Sequence, residues 1–168
     1  MKAIVVFDTR YGNTEKVAKS LQTGLSQGGI DAVCVDAKDV VAGTLSQHEL
    51  ICVGAPTEGF TASVPIKEFF RKMESEALAG KRGFAFDTKA NPGIFGSAAK
   101  FIEKRLKSQG LQIVAPRESA IVFTAGSTKS ARLKEGEEER FEKIGLRIAS
   151  AAGAMAGESA AASRSSVG

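Results

Sequence analysis

Hydroxyl and amide side chains crowd a short segment near the start of the chain. Thr9, Asn13 and Thr14 surround Gly12, directly after an apolar run and directly before an amphipathic segment. The first turn of a helix leaves backbone N–H groups without intrahelical partners, and its dipole favours negative charge there. Hydroxyl and amide donors beside such groups can bind a phosphate without a lysine or a metal. The segment therefore predicts a phosphate site, although Asn13 or Thr14 could instead serve only as a helix cap.

Two common nucleotide-binding patterns are absent from this position. Neither G-x-G-x-x-G nor G-x-x-x-x-G-K-[ST] follows the first apolar run. Their absence argues against a dinucleotide site of the Rossmann type and against a P-loop NTPase.

Two later loops also carry residues that could contact a ligand. Residues 54–61 follow the third apolar run and include Phe60, which can stack on a planar ring or pack on the following helix. Residues 86–97 follow the fourth run and include Asp87 and Thr88. These two side chains can bind the edge of a ligand or simply stabilise the turn.

Five apolar runs alternate with amphipathic segments, which indicates how these loops are positioned. The runs are residues 3–7, 32–35, 50–53, 84–86 and 120–123. The first, third and fifth are almost continuously apolar, as in parallel strands that are covered on both faces. Apolar side chains at helical spacing predict helices within residues 17–25, 66–73, 98–106 and 141–152. The alternation predicts right-handed βαβ units in a doubly wound α/β sheet, whose ligands bind beyond the carboxyl ends of the strands.

The remaining segments give weaker signals. Residues 39–48 are expected to hold only a short helix, and residues 111–114 to pair at the edge of the sheet. His48, the sole histidine, precedes the third strand and should lie at the surface of the opposite, amino-terminal edge. Residues 157–168 are rich in Ala and Ser, so we expect a domain of residues 1–156 and then a frayed helix end with a loose tail.

Composition excludes several classes of protein. The 168 residues fit one domain, and 43% apolar with 25% charged residues is ordinary for a globular protein. No apolar run reaches the length of a membrane span, and Asp8 comes too early for a signal-peptide core, so a cytoplasmic location is expected. The net charge of +4 could favour acidic partners or nucleic acid. Because the cations alternate with Glu, as in residues 100–107, we expect a solvated helix face and no nucleic acid binding.

Residues 5–14, Val-Val-Phe-Asp-Thr-Arg-Tyr-Gly-Asn-Thr, resemble the phosphate-loop signature of the flavodoxin family. The resemblance extends over roughly residues 1–150 and implies the flavodoxin-like fold, with five parallel strands in the order 2-1-3-4-5 and helices on both faces. It also implies one FMN as cofactor. The phosphate would then be wrapped by Thr9, Arg10, Tyr11, Gly12, Asn13 and Thr14. The ring would lie between the second loop, with Pro56, Thr57, Glu58, Gly59 and Phe60, and the third loop, with Asp87, Thr88, Lys89 and Phe95.

The chain departs from that family in charge and in aromatic content. It contains no Trp, its single Tyr is Tyr11, and it is basic, whereas flavodoxins tend to be acidic and often hold the flavin between Trp or Tyr side chains. Lys89 lies where electron carriers of the family often place acidic residues. Near the ring, its charge would favour the anionic reduced flavin.

Cys34 and Cys52 fall in the second and third predicted strands. In the implied strand order the first strand lies between them, which separates their backbones by about 10 Å. That distance is too long for a disulfide, so two buried thiols are expected rather than a redox pair.

The resemblance favours an electron-transfer protein that shuttles electrons between redox partner proteins. The basic charge and Lys89 count against that function unless the partners are acidic. An FMN-dependent NAD(P)H:quinone-type reductase is one alternative, and a flavin-free interaction module of the same fold is another. No catalytic acid or base and no metal site is identified in the sequence, which favours a carrier over a substrate-specific oxidoreductase. The intact phosphate loop argues against the flavin-free module.

Overall fold

A mostly parallel sheet forms the centre of the protein, which the computed structural model describes over residues 1–74, 77–90, 96–124 and 131–165. The strands are β1 (Lys2–Phe7), β2 (Asp31–Asp36), β3 (Leu50–Glu58), β4 (Thr61–Ala62), β5 (Arg82–Ala90), β6 (Gln112–Ile113), β7 (Glu118–Thr124) and β8 (Ala131–Leu133). The helices are α1 (Asn13–Gln27), α2 (Val64–Lys72), α3 (Ala98–Ser108) and α4 (Glu137–Ser165).

The strand order confirms the predicted doubly wound α/β fold. The sheet runs β2-β1-β3-β5-β7-β8, and its first five strands are parallel and correspond to the predicted order 2-1-3-4-5. Three short strands add to this frame. β4 forms a hairpin with β3, β8 pairs antiparallel with β7, and β6 pairs with the start of β5. Of residues 111–114, Gln112 and Ile113 thus pair with the sheet as expected, and their partner is β5, an inner strand of the sheet.

The two faces of the sheet are covered by different helices. Ile4 and Val6 of β1 pack in a core with α2 and α3, whereas Ala3 and Val5 pack in a core with α1 and α4. All four side chains are fully buried. Alternate residues of one strand thus enter opposite cores, which is why the run is apolar throughout rather than alternating.

Helices α1 and α4 meet through two glycines. A Cβ atom on Gly24 would lie 1.9 Å from the carbonyl oxygen of Glu142, and one on Gly145 would lie 2.5 Å from the carbonyl oxygen of Leu21. Real Cβ atoms essentially never come so close to another atom. The two helix backbones therefore touch directly, and only glycine fits at these two positions.

The connecting segments follow the weaker sequence signals. The stretch before β3 holds two single-turn 3-10 helices, Ala37–Asp39 and Leu45–Gln47. His48 lies just before β3, half-buried, with its Nδ1 atom 2.8 Å from the carbonyl oxygen of Thr44.

The backbone of α4 continues to Ser165, past residue 156, and the division into a domain and a loose tail stays a prediction. Within the described residues, no helix is both long and apolar enough to cross a membrane.

The two cysteines lie on either side of β1. Val5 pairs with Cys34 of β2 on one side and with Cys52 of β3 on the other, and both thiols are free. Cys52 is fully buried as expected, whereas Cys34 is only half-buried because β2 is the edge strand of the sheet. Burial raises the pKa of Cys34 to about 12 and raises the pKa of Cys52 as well. Both groups therefore stay protonated at neutral pH and are poor nucleophiles.

We expect both thiols to react slowly with iodoacetamide in the native protein at pH 8. Only the thiolate attacks the reagent, and a pKa of about 12 for Cys34 leaves little thiolate at this pH. The native rate should be at least about a hundredfold below that of the same chain unfolded in guanidinium chloride. Mass spectrometry of timed samples measures both rates, and rapid labelling of either cysteine in the native protein would contradict the assignment.

Candidate functional site

A cavity of about 180 Å³ opens at the carboxyl edge of the sheet, beside the ends of β1 and β3. After β1 the chain continues to β2, which lies on one side of the β1–β3 pair, and after β3 it continues to β5, which lies on the other side. Strand order reverses at this point, so the two following loops separate and leave a crevice. The cavity is lined by Thr9, Arg10, Tyr11, Asn13, Thr14, Pro56, Thr57, Glu58, Thr88, Lys89, Ala90, Val122 and Ala131.

Side chains from all three loops that the sequence singled out meet in this cavity. The predicted residues that line it are Thr9, Arg10, Tyr11, Asn13, Thr14, Pro56, Thr57, Glu58, Thr88 and Lys89. Gly12, Gly59, Phe60 and Asp87 are not among the lining residues, and Phe95 lies outside the described residues. Val122 and Ala131, from β7 and β8, line it without having been predicted.

The first loop presents buried hydroxyl groups at the N-terminus of α1. Gly12 caps this helix in the left-handed conformation, with φ at 81°, and no side chain makes a cap hydrogen bond. Thr14 is 1% exposed, and its Oγ1 atom lies 2.8 Å from Oγ1 of Thr88 in the third loop. The Oγ1 atom of Thr9 is buried and has no hydrogen-bond partner among the described residues.

This donor set fits a phosphate. In a hydrogen bond between two hydroxyl groups, one group donates its proton to the other. The pair of Thr14 and Thr88 therefore retains one hydroxyl proton that it can donate to a ligand. The unpartnered hydroxyl of Thr9 can donate a second hydrogen bond to the ligand. The N–H groups at the start of α1 lie at the positive end of the helix dipole, which favours anions. Arg10 adds a cation at the mouth, where its guanidinium is 3.7 Å from a carboxylate oxygen of Glu58. Both of these side chains are substantially exposed, so their ion pair is weak and easily exchanged.

Asn13 has a structural task that the sequence did not reveal. Its Nδ2 donates to the carbonyl oxygen of Ala131 at 2.8 Å, and its Oδ1 accepts from the backbone N–H of Leu133 at 3.2 Å. This pair of bonds, the Asn13 clasp, fastens β8 to the first loop. Its partners are 118 and 120 residues away in the chain, so no local pattern could have indicated them.

Replacing Asn13 by alanine should loosen β8. The loss of two hydrogen bonds is expected to lower the free energy of unfolding by about 1–3 kcal/mol and to speed amide exchange at Leu133. Gln22→Ala is a matched control, because Gln22 also donates a side-chain amide to a backbone carbonyl, that of Ala32, at 2.8 Å. Urea unfolding and hydrogen exchange of the β8 peptide test this, and equal exchange in both variants would refute the clasp.

Asp87 holds the second and third loops together. It is fully buried, and its Oδ2 atom accepts from Oγ1 of Thr57 at 3.0 Å, from Oγ of Ser97 at 2.7 Å and from the backbone N–H of Ala99 at 3.0 Å. The Thr57 oxygen in turn accepts from the N–H of Ala98 at 2.9 Å. These contacts fix the start of α3 against both loops, and a contact of Asp87 with a ligand stays a prediction.

The tip of the second loop faces away from the cavity. Gly59 and Phe60 connect β3 to β4 in a two-residue hairpin with φ angles of 50° and 75°. Gly96 packs against this tip, since a Cβ atom there would lie 2.2 Å from the carbonyl oxygen of Phe60. The Phe60 side chain is 64% exposed and lines a neighbouring groove with Phe101. Its predicted stacking on a ring stays a prediction.

Fold and site together define a doubly wound α/β protein whose cavity, at the switch point of the sheet, is suited to a phosphorylated ligand. Comparison with known proteins places it more narrowly. The sequence model of flavodoxin matches residues 5–144, and the chain belongs to the flavodoxin family. Members of this family bind a flavin and transfer electrons.

Relatives of known sequence include both separate flavodoxins and larger proteins. A flavodoxin of Clostridium saccharobutylicum is 28% identical over 157 residues, which cover 89% of this chain and 96% of that protein. A nitric oxide reductase of Moorella thermoacetica is 29% identical over 119 residues, or 68% of this chain. The chain spans only 29% of the length of that reductase, and likewise 29% of an uncharacterised protein of Methanocaldococcus jannaschii.

A solved structure of a flavodoxin from the domain Archaea has the same fold. It matches with a TM-score of 0.75 at 23% identity, over 90% of this chain and 99% of that one. At this level of identity the similarity concerns the fold alone.

Proposed function

We propose that this protein binds one FMN in the cavity at the carboxyl edge of the sheet and carries electrons between redox partner proteins. The observation that carries the proposal is the set of buried hydroxyls of Thr9, Thr14 and Thr88 at the N-terminus of α1. In this assignment they bind the FMN phosphate, and the second and third loops flank the ring. Cytoplasmic location is part of the same proposal and rests on the sequence.

The residues of the chain would bind the cofactor and set the charge around it, whereas the cofactor would supply the redox chemistry. Bound FMN accepts and donates one or two electrons. Thr14 and Thr88 would hold the phosphate, and the hydrogen bond between their hydroxyl groups joins the first and third loops. Lys89 lines the cavity, and its positive charge would stabilise negative charge that a bound flavin gains on reduction.

The lining of the cavity supports an electron carrier rather than a reductase of small substrates. Its titratable side chains are those of Arg10, Tyr11, Glu58 and Lys89, and the Glu58 carboxylate is paired with Arg10. None of these is a buried acid or base held against a substrate position. Among the described residues, no group of His, Cys, Asp and Glu could hold a metal ion.

Titration with FMN tests the proposal directly. Flavin fluorescence should be quenched at about micromolar FMN or below, and the loaded protein should show the absorption of a bound flavin. Adding NAD(P)H to the loaded protein then separates the two redox functions. A carrier stays oxidised under these conditions, whereas prompt bleaching of the flavin with turnover on a quinone would favour the reductase. Failure of FMN to bind would refute the proposed function.

A further inference from the structure

A basic groove extends from the cavity along α3. Lys89 lines both the cavity and an adjoining depression that also contains Arg117 and Ser97. Ser97 in turn lines the next depression, together with Phe60 of the second loop and Lys100, Phe101 and Lys104 of α3. We define the basic groove by the side chains of Phe60, Lys89, Lys100, Phe101, Lys104 and Arg117.

The cations of the groove exceed its anions. Among the described residues, no ion pair involves Lys89, Lys100 or Lys104. The carboxylate found in the groove, Glu103, already pairs with Lys107 at 2.6 Å and with Arg117 at 3.4 Å. Lys100 and Lys104 are four residues apart on α3 and exposed, an arrangement in which like charges destabilise a helix. The groove therefore carries positive charge that the described residues do not neutralise.

Phe60 provides an apolar contact at the end of this groove. Its φ of 75° is unfavourable for a side chain with a Cβ atom, and a hairpin turn of this kind favours glycine or asparagine. Strained backbone of this sort is often retained at functional positions. A 64% exposed aromatic ring beside lysines is the type of residue that anchors protein interfaces.

The groove does not suit a nucleotide phosphate at the start of α3. The first backbone N–H groups of that helix are already used, since Ala98 donates to Thr57, Ala99 donates to Asp87 and Lys100 donates to Ser97. The charge that remains lies on long, exposed lysine side chains, which pair readily with carboxylates on a facing protein.

We propose that the basic groove docks an acidic redox partner protein, with Lys100 and Lys104 pairing with its carboxylates and Phe60 packing against it. This proposal rests on the proposed function, because the groove matters for electron transfer only if the adjoining cavity holds the flavin. It names the charge of the partner and the face on which it binds.

Binding to two haem proteins of opposite surface charge tests the docking face. Isothermal titration of the FMN-loaded protein at low ionic strength uses an acidic cytochrome b5 domain and a basic cytochrome c as probes. The acidic probe should bind and should weaken as added salt shortens the screening length. Lys100→Gln/Lys104→Gln should weaken that binding about tenfold. The matched control Lys2→Gln/Lys143→Gln removes the same charge from exposed lysines outside the groove and should change affinity less than about twofold.

Phe60→Gly separates docking from folding. Glycine tolerates the φ of 75°, so the midpoint of thermal unfolding should not fall, yet the acidic probe should bind about tenfold more weakly. A lower midpoint with unchanged affinity would assign Phe60 to the fold and overturn its docking role. Three results would overturn the proposal. The protein could prefer the basic probe, or both lysine-pair variants could lose the same affinity for the acidic probe. It could also bind NADPH through these lysines without binding the acidic probe. FMN titration of every variant shows whether the flavin site survives, so a failure of docking is distinguishable from a failure of flavin binding.

Discussion

Thr14→Val should bind FMN about 10–100-fold more weakly than the parent protein, with little change for riboflavin. Valine keeps the shape of the buried side chain but removes the oxygen that lies 2.8 Å from Oγ1 of Thr88. In the proposed site this hydroxyl pair donates to the phosphate, and a hydrogen bond to a charged group contributes about 1.5–3 kcal/mol. Riboflavin has no phosphate, so its affinity should change by less than about threefold.

Fluorescence titration of both flavins with the Thr14→Val and Thr14→Ser proteins measures this difference. The serine variant retains a hydroxyl and should keep most of the FMN affinity. Equal losses of FMN and riboflavin affinity in Thr14→Val would mean that Thr14 supports the loop rather than the phosphate. That result would leave the fold assignment intact but remove the main support for the phosphate position.

Gly24→Ala should lower the free energy of unfolding by about 2–3 kcal/mol, although alanine is intrinsically the better helix former. The added Cβ atom would lie 1.9 Å from the carbonyl oxygen of Glu142, and a backbone oxygen cannot rotate away as a side chain can. Relief requires α1 and α4 to move apart, which opens the core between them. The start of α1 would shift with it, so FMN binding should weaken as well.

Gly153→Ala is the matched control for this substitution. Gly153 also lies in a helix, α4, but a Cβ atom there meets nothing within 4 Å. The control should therefore be stabilised, by up to about 1 kcal/mol, in the same urea titration. If both variants are destabilised equally, helix–helix contact is not the cause.

The sequence was sufficient to predict the strands and the first loop because each depends on contiguous residues, whereas the strand order was implied by the resemblance to flavodoxins. Buried parallel strands are apolar throughout, as residues 3–7 are, and the segment from Thr9 to Thr14 joins strand to helix without interruption. Their local conformations follow from rules that act over a few residues.

Other parts of the site depend on contacts between distant segments. β8 has three residues and is held by β7 and by the Asn13 clasp, so its own sequence carries little signal. Asp87 was noted for its position after a strand, but the donors that surround it come from two loops and a helix. The direction of Phe60 depends on the positive φ of its hairpin, which a sequence with Phe in that turn does not suggest.

The Asn13 clasp also affects when the site can form during synthesis of the chain. A ribosome releases the first loop early, but Thr88 comes 74 residues after Thr14, and Ala131 comes 118 residues after Asn13. A nascent chain that has exposed only β1 and α1 lacks both partners, and domains generally fold as whole units. A chain interrupted before β8 therefore lacks both hydrogen-bond partners of Asn13 and the part of the cavity wall that Ala131 supplies.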